Sequence, residues 1–103
     1  METLSKTKIE VKDKQQTIEK LKKISNLFSQ ELLSNCGRLG EKVIFDSVFI
    51  FNVQAQKAIK ALEELNLKPE IKKLENGGTH IHITTEFPKE ILDSVGIKDA
   101  EMN

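Results

Sequence analysis

Apolar residues recur at three- and four-residue steps through the first third of the chain. Between about Val11 and Asn35 these positions fall on one face of a helix, and they are Ile18, Leu21, Ile24, Leu27, Phe28 and Leu32. Most of the lysines lie off that face, and Gly37 stands where a left-handed C-cap belongs. The pattern predicts a long amphipathic helix over about residues 12–36.

The segment from Val43 to Leu65 fits two patterns. Apolar residues at steps of four and three are typical of one long helix, which would pack on the first helix as a hairpin. However, eight of the eleven residues from Val43 to Val53 are Val, Ile or Phe, which favour strands. We therefore prefer a strand that begins near Val43, followed by a helix from about Val53 to Leu65 with Asn52 as its N-cap.

A β-hairpin is predicted from residues 70–75 and 79–86. They flank Asn-Gly-Gly-Thr, and glycine tolerates the positive φ angles of tight hairpin turns. A turn centred on Gly77 and Gly78 would pair Leu74 with Ile81 and Glu75 with His80. Pro88 then opens a short helix that ends at Gly96.

The fold class predicted from these elements is α+β, with a long N-terminal amphipathic helix followed by β-α-β-β-α. The last five elements resemble, in their order, most of a ferredoxin-like sandwich such as the ligand-sensing domains of the ACT type. The alternative is a helical hairpin followed by a β-hairpin and a short helix. We expect a single domain over residues 1–103, with its α+β part at about 43–96 and flexible ends at 1–11 and 97–103.

Composition and charge narrow the class of protein. A chain of 103 residues with 38% hydrophobic and 31% charged residues is typical of one globular domain. Its 16 basic and 16 acidic residues cancel, which disfavours nonspecific nucleic-acid binding. The single cysteine and the absence of an apolar run behind the first lysines favour a cytoplasmic protein with no membrane span. The phenylalanines expected in the core are Phe28, Phe45, Phe49 and Phe51.

His80 and His82 are the chain's two histidines, and they share one face of a predicted strand. That spacing could chelate one metal ion, with a third ligand from Glu75, Glu86 or Asp46. Because two ligands are too few, we instead expect a polar hairpin face on which His80 meets Glu75. No metal and no cofactor are predicted.

Two further features bear on catalysis. The sequence Gly-Gly-Thr-His resembles the toxin ribonucleases of the HicA type, in which a histidine closely follows a glycine within a double-stranded-RNA-binding-like fold; the resemblance implies a catalytic His80. Cys36 falls at the end of the predicted first helix, where the helix dipole would raise the thiol pKa and make a nucleophile unfavourable. We expect that the protein is not an enzyme.

The predicted function is a noncatalytic small protein-binding regulator or inhibitor, of the kind by which phages or mobile elements modulate host defence enzymes. The rest of the chain looks too small to cover the first helix, so a partner or a second copy in a homodimer would complete its burial. The predicted partner-binding residues are Ile18, Leu21, Lys22, Lys23, Ile24, Leu27, Phe28 and Leu32. The alternative is a nucleic-acid-binding regulator that uses the lysines of this helix, and the third candidate is a HicA-like ribonuclease or a metal site at His80 and His82.

Overall fold

The computed structural model of the protein describes residues 14–31 and 33–97. These residues form three α-helices and one antiparallel sheet of five strands. The α+β class and the predicted order of elements are confirmed. The elements are α1 Lys14–Ser29, β1 Leu33–Ser34, β2 Gly37–Leu39, β3 Lys42–Phe49, α2 Asn52–Glu63, β4 Glu70–Lys73, β5 Thr79–Glu86 and α3 Lys89–Val95. The strands lie side by side in the order β1-β3-β5-β4, and β2 also pairs with β3.

The strands β1 and β2 run along β3 in one register and were not predicted. Leu33 lies opposite Val48 and Arg38 opposite Val43, and the Asn35 amide bridges the break by donating to the Asp46 carbonyl at 2.7 Å. Gly40, with φ +63°, provides the tight turn into β3. The helix expected to reach residue 36 therefore ends at Ser29.

Gly37 is not a helix C-cap, because it lies within β2. A different residue completes the end of α1: the buried Ser47 hydroxyl on β3 donates to the Phe28 carbonyl at 2.8 Å. That carbonyl is in the last turn of the helix, where acceptors lack the usual donor four residues on, and it accepts one other bond, from the Glu31 amide at 3.3 Å. The helix end is thus fixed by a strand that is distant in sequence.

One side of the sheet carries the core and all three helices. The residues of β3 alternate strictly in burial, and Phe45 and Phe49 are fully buried on the covered side. The Phe28 ring of α1 lies 5.4 Å from that of Phe45 and 5.1 Å from that of Phe49. Phe51, expected in this cluster, is instead 71% exposed, because the strand ends before it.

The hairpin of β4 and β5 has a different register from the one predicted. Ile71, not Leu74, lies opposite Ile81. The loop is wider than a two-residue turn because the Leu74 amide donates to the Gly78 carbonyl at 2.9 Å, and within the loop only Gly77 has a positive φ, of +95°. A three-residue loop of this kind ends in a residue with the left-handed conformation, here Gly77. Relative to the predicted register, the pairing of β4 with β5 is shifted by three residues.

The helices after β3 begin and end close to the predicted positions. The alternative of one helix across residues 43–65 is wrong, since β3 precedes α2. Asn52 does not act as N-cap; it is the first residue of α2, and its Oδ1 accepts a hydrogen bond from the Lys73 Nζ at 3.4 Å. Gly96 ends α3 in the left-handed conformation, with φ +83°, as predicted.

The sheet agrees in part with the ferredoxin-like order. β3, β5 and β4 lie side by side as the first, third and second strands of such a sandwich do. On the other side of β3, where the sandwich has its fourth strand, the sheet has β1 and β2, which precede β3 in the chain. The expected flexible ends fall outside the described residues, apart from Ile97, which packs against the core.

Candidate functional site

The apolar stripe of α1 lies inside this chain's own core. Ile18, Leu21, Ile24 and Phe28 are at most 8% exposed, and α1 lies against α2, α3 and β3. The expectation that the rest of the chain is too small to cover them is wrong, because α2, α3 and β3 together bury this face of α1. Leu27 packs partly against the core, and Leu32 lies outside the described residues.

Exposed lysines of α1 and α2 border a groove between the two helices. Lys22 and Lys23, both predicted to bind a partner, are exposed. Lys23 lines this groove together with Lys57 and Lys60, and Leu27, Ala61 and Glu64 complete the lining. Within the described part of the chain these lysines make no ion pair. With three lysines and one glutamate in its lining, the groove carries an excess of positive charge.

His80 and His82 lie on the side of the sheet that no described helix covers, as their alternation with Ile81 and Ile83 predicted. The partner of both is Asp46 of β3, which lies opposite His82. The His80 Nε2 is 2.6 Å from one Asp46 oxygen, and the His82 Nδ1 is 3.1 Å from the other. The predicted contact of His80 with Glu75 is wrong, because Glu75 lies in the loop.

The geometry of these three side chains disfavours a shared metal. Each Asp46 oxygen accepts a hydrogen bond from a different imidazole, so the carboxylate orients the two rings instead of completing a set of converging ligands. Among the described residues no group of three or more His, Cys, Asp or Glu is placed to hold a metal ion. The arrangement can hold one ring nitrogen of each histidine as a donor to Asp46.

Cys36 lies between β1 and β2 and not at a helix end. Burial raises the pKa of its thiol above the ordinary range, and the Sγ faces the Asp46 carbonyl at 4.0 Å. The direction of the pKa shift agrees with the prediction, but its cause is desolvation instead of the helix dipole. The thiol stays protonated at neutral pH, which disfavours a nucleophilic role.

Arg38 is the charged side chain buried on the helix-covered side of the sheet. It is 7% exposed, its Nη1 donates to the Asp93 Oδ1 of α3 at 2.8 Å, and its Nε donates to the Gly40 carbonyl at 3.1 Å. The hydrogen bond from Arg38, with a second from Lys89, holds the pKa of Asp93 below its usual value. These contacts fix α3 to the β2–β3 turn, which is a structural role.

Sequence patterns missed an exposed apolar segment at the junction of β3 and α2. Ile50 is 55% exposed, Phe51 71% and Val53 66%, and we refer to these three residues as the apolar tip. The strand pattern continued as far as Phe51, which was predicted to lie in the core. The signal that could have located them is the start of α2 at Asn52, which ends the alternation between the two sides of the sheet.

Comparison with known proteins assigns no family. No protein-family model matches the chain, and neither a curated protein nor a solved structure is significantly similar to it. The described helices include none that is both long and apolar enough to cross a lipid bilayer.

Proposed function

We propose that the protein is a noncatalytic protein-binding regulator or inhibitor that contacts its partner through the apolar tip. The observation that carries this proposal is the exposure of Ile50, Phe51 and Val53, each of them more than half accessible. Burying a side chain of this size gains about 1.5 to 3 kcal/mol. Clustered apolar side chains on a surface mark interaction sites, and aromatic residues are enriched in interface cores.

The lysines of α1 have a secondary part in this proposal. Because the α1 stripe is buried in the core, we assign the partner-binding role that was predicted for it to the apolar tip instead. Lys22 and Lys23 remain accessible, and exposed lysines attract an acidic partner over a distance and speed association. We expect a partner with an apolar pocket and an acidic surface, encountered in the cytoplasm.

Crosslinking at the apolar tip tests the proposal. A photo-reactive amino acid at position 51 should crosslink one protein in cells that encode this chain, and mass spectrometry identifies it. With the partner purified, Phe51→Ser should lose most of the affinity, whereas Leu39→Ser, at a 40% exposed residue of β2, should bind as the wild type does. Equal affinity for wild type and Phe51→Ser would contradict the proposal. Circular dichroism confirms that both variants are folded.

The partner's identity also tests the narrower hypothesis of a phage or mobile-element inhibitor of host defence. If the crosslinked protein is a defence enzyme, the purified chain should lower that enzyme's activity, and Phe51→Ser should not. A partner without such activity would restrict the proposal to protein binding.

The runner-up function is nucleic-acid binding through the lysine-bordered groove. Lys23, Lys57 and Lys60 come from two helices and have no ion-pair partners among the described residues, so phosphates could neutralise them. Titration with duplex DNA and structured RNA at about 150 mM salt separates the candidates. Submicromolar binding that weakens in Lys57→Gln with Lys60→Gln, but not in Phe51→Ser, would favour the runner-up.

Catalysis at the histidines is the third candidate. A HicA-like ribonuclease would use His80, and Asp46 already orients that ring. The side chain bonded to the ring is a carboxylate, which repels the phosphates of RNA, although Lys72 lies opposite His80 on β4. Incubation with structured RNA checks this: cleavage that is lost in His80→Gln would replace the binding proposal with an enzymatic one.

A further inference from the structure

The strand β4 forms an outer edge of the sheet that nothing else in the described chain covers. Its hydrogen-bonded neighbour is β5, and all four of its residues are exposed. An outer strand leaves a row of backbone donors and acceptors unpaired, which is a template for pairing with another strand. Ile71, at 47% exposure, is also a large apolar side chain left on this edge.

The register of the hairpin shows which backbone groups point outward. The Leu74 amide donates to the Gly78 carbonyl, so these two residues form a hydrogen-bonded pair. Hydrogen-bonded pairs alternate with non-bonded ones along an antiparallel ladder. Lys72 and Glu70 therefore bond to β5, while the N–H and C=O groups of Ile71 and Lys73 point away from the sheet.

We propose that β4 pairs antiparallel with β4 of a second copy, around a two-fold axis at Ile71, to form one continuous sheet across the dimer. In this register Glu70 lies opposite Lys72 of the second copy, and the reverse pair forms on the other side of the axis. Opposite charges in directly facing positions stabilise strand pairing. Ile71 faces its own counterpart at the centre.

Charge selects this register over its neighbours. A two-fold axis perpendicular to the sheet keeps each side chain on its own side, so the axis must lie at a residue, and the nearest alternative registers place it one residue away. An axis at Glu70 would place glutamate against glutamate, and an axis at Lys72 would place lysine against lysine. The register centred on Ile71 avoids both repulsive contacts.

Backbone bonding and packing agree with that register. The Ile71 amide and carbonyl can exchange two hydrogen bonds with those of Ile71 in the second copy, and each Lys73 amide can donate to the Pro69 carbonyl across the axis. Pro69 has no amide hydrogen, so it supplies only an acceptor. Ile71 also borders a groove with Ile59, Leu67 and Pro69, against which the second Ile71 would lie.

A charge exchange tests the pairing. Light scattering and sedimentation velocity over a concentration series should show a monomer–dimer equilibrium for the wild type. Glu70→Lys and Lys72→Glu should each weaken the dimer by about ten-fold, because each variant creates two like-charge contacts. The double variant Glu70→Lys with Lys72→Glu should recover the wild-type dissociation constant. Glu19→Lys, which makes the same charge change on α1, should leave it unchanged.

Three results would overturn the proposal. They are a wild type that stays monomeric at all concentrations, a dimer that Glu70→Lys does not weaken, and a double variant that is no stronger than the single ones. Circular dichroism and thermal melting separate a lost dimer from a lost fold. The proposal is independent of the apolar tip, so Phe51→Ser should dimerise as the wild type does.

Discussion

The two sides of the sheet are built from the same strands but follow different rules. On the helix-covered side, β3 and β5 present Phe45, Phe49 and Ile81, all fully buried. On the open side, the alternate positions carry Asp46, His80 and His82, which retain between 26% and 37% of their side-chain exposure. Neighbouring residues of one strand thus lie in a packed apolar core and on a hydrated polar surface.

This difference indicates where function can reside. On the covered side the side chains pack against the helices, and the α1 stripe that was predicted to bind a partner is buried there. The open side, the apolar tip and the outer edge of β4 are accessible instead. Candidate interactions therefore belong to residues that the core does not need, and variants at those residues should leave the fold intact.

The largest expected contrast comes from making one substitution on each side. Ile81→Ala removes a fully buried side chain and should cost about 2 to 5 kcal/mol in free energy of unfolding. Ile44→Ala, on the open side of β3 and only partly buried, should cost about 1 kcal/mol or less. Urea denaturation measures both. Equal losses would mean that the open side is covered, for example by a second copy.

Two serines on paired strands provide a second contrast, between a buried and an exposed position, and we expect a loss of stability of intermediate size. Ser47→Ala removes the buried donor to the Phe28 carbonyl, which keeps only its longer bond from the Glu31 amide at 3.3 Å, and should cost about 0.5 to 1.5 kcal/mol. Ser34 lies directly opposite on β1 but is exposed, so Ser34→Ala should change stability by no more than about 0.5 kcal/mol. A similar loss for both would show that the helix end does not depend on this hydrogen bond.

The ion pair of Arg38 with Asp93 predicts a smaller, pH-dependent effect. Because the folded-state pKa of Asp93 lies below the unfolded value of about 3.9, its contribution to stability is present above that pH. The contribution is lost as pH falls through the lowered pKa. Asp93→Asn should therefore lower the melting temperature at neutral pH, and the gap should close on acidification.

Lys89→Gln serves as the control for this pH series. It removes only the weaker, exposed hydrogen bond to Asp93, so its melting curves should follow those of the wild type more closely. A gap between Asp93→Asn and the wild type that stays constant from neutral to acid pH would contradict the assignment.

Local sequence patterns predicted those elements that depend on nearby residues. The β-branched and aromatic run after Val43 indicated β3, the double glycine indicated a hairpin, and Gly96 indicated the end of α3. Each signal acts through the conformational preference of the residues concerned. These preferences do not depend on what the segment packs against.

Features that depend on distant residues escaped prediction. β1 and β2 are short and lack clear alternation, and they become strands because β3 supplies their hydrogen bonds. The contact of Asp46 with His80 requires the pairing of β3 with β5, which no local pattern gives. The α1 stripe and the elements α2, α3 and β3 were each predicted, but the packing of these elements on the stripe was not.

The smallest expected effect concerns the open-side histidines and metal. Asp46 already accepts hydrogen bonds from both rings, which occupies the oxygens that a third ligand would have to offer. We therefore expect EDTA to leave the melting temperature unchanged. The variant His80→Gln with His82→Gln should lower stability by about 1 kcal/mol or less, because partly exposed pairs contribute little. A fall of many degrees with EDTA in the wild type, absent in the double variant, would instead make the open side of the sheet a structural metal site and the two histidines its ligands.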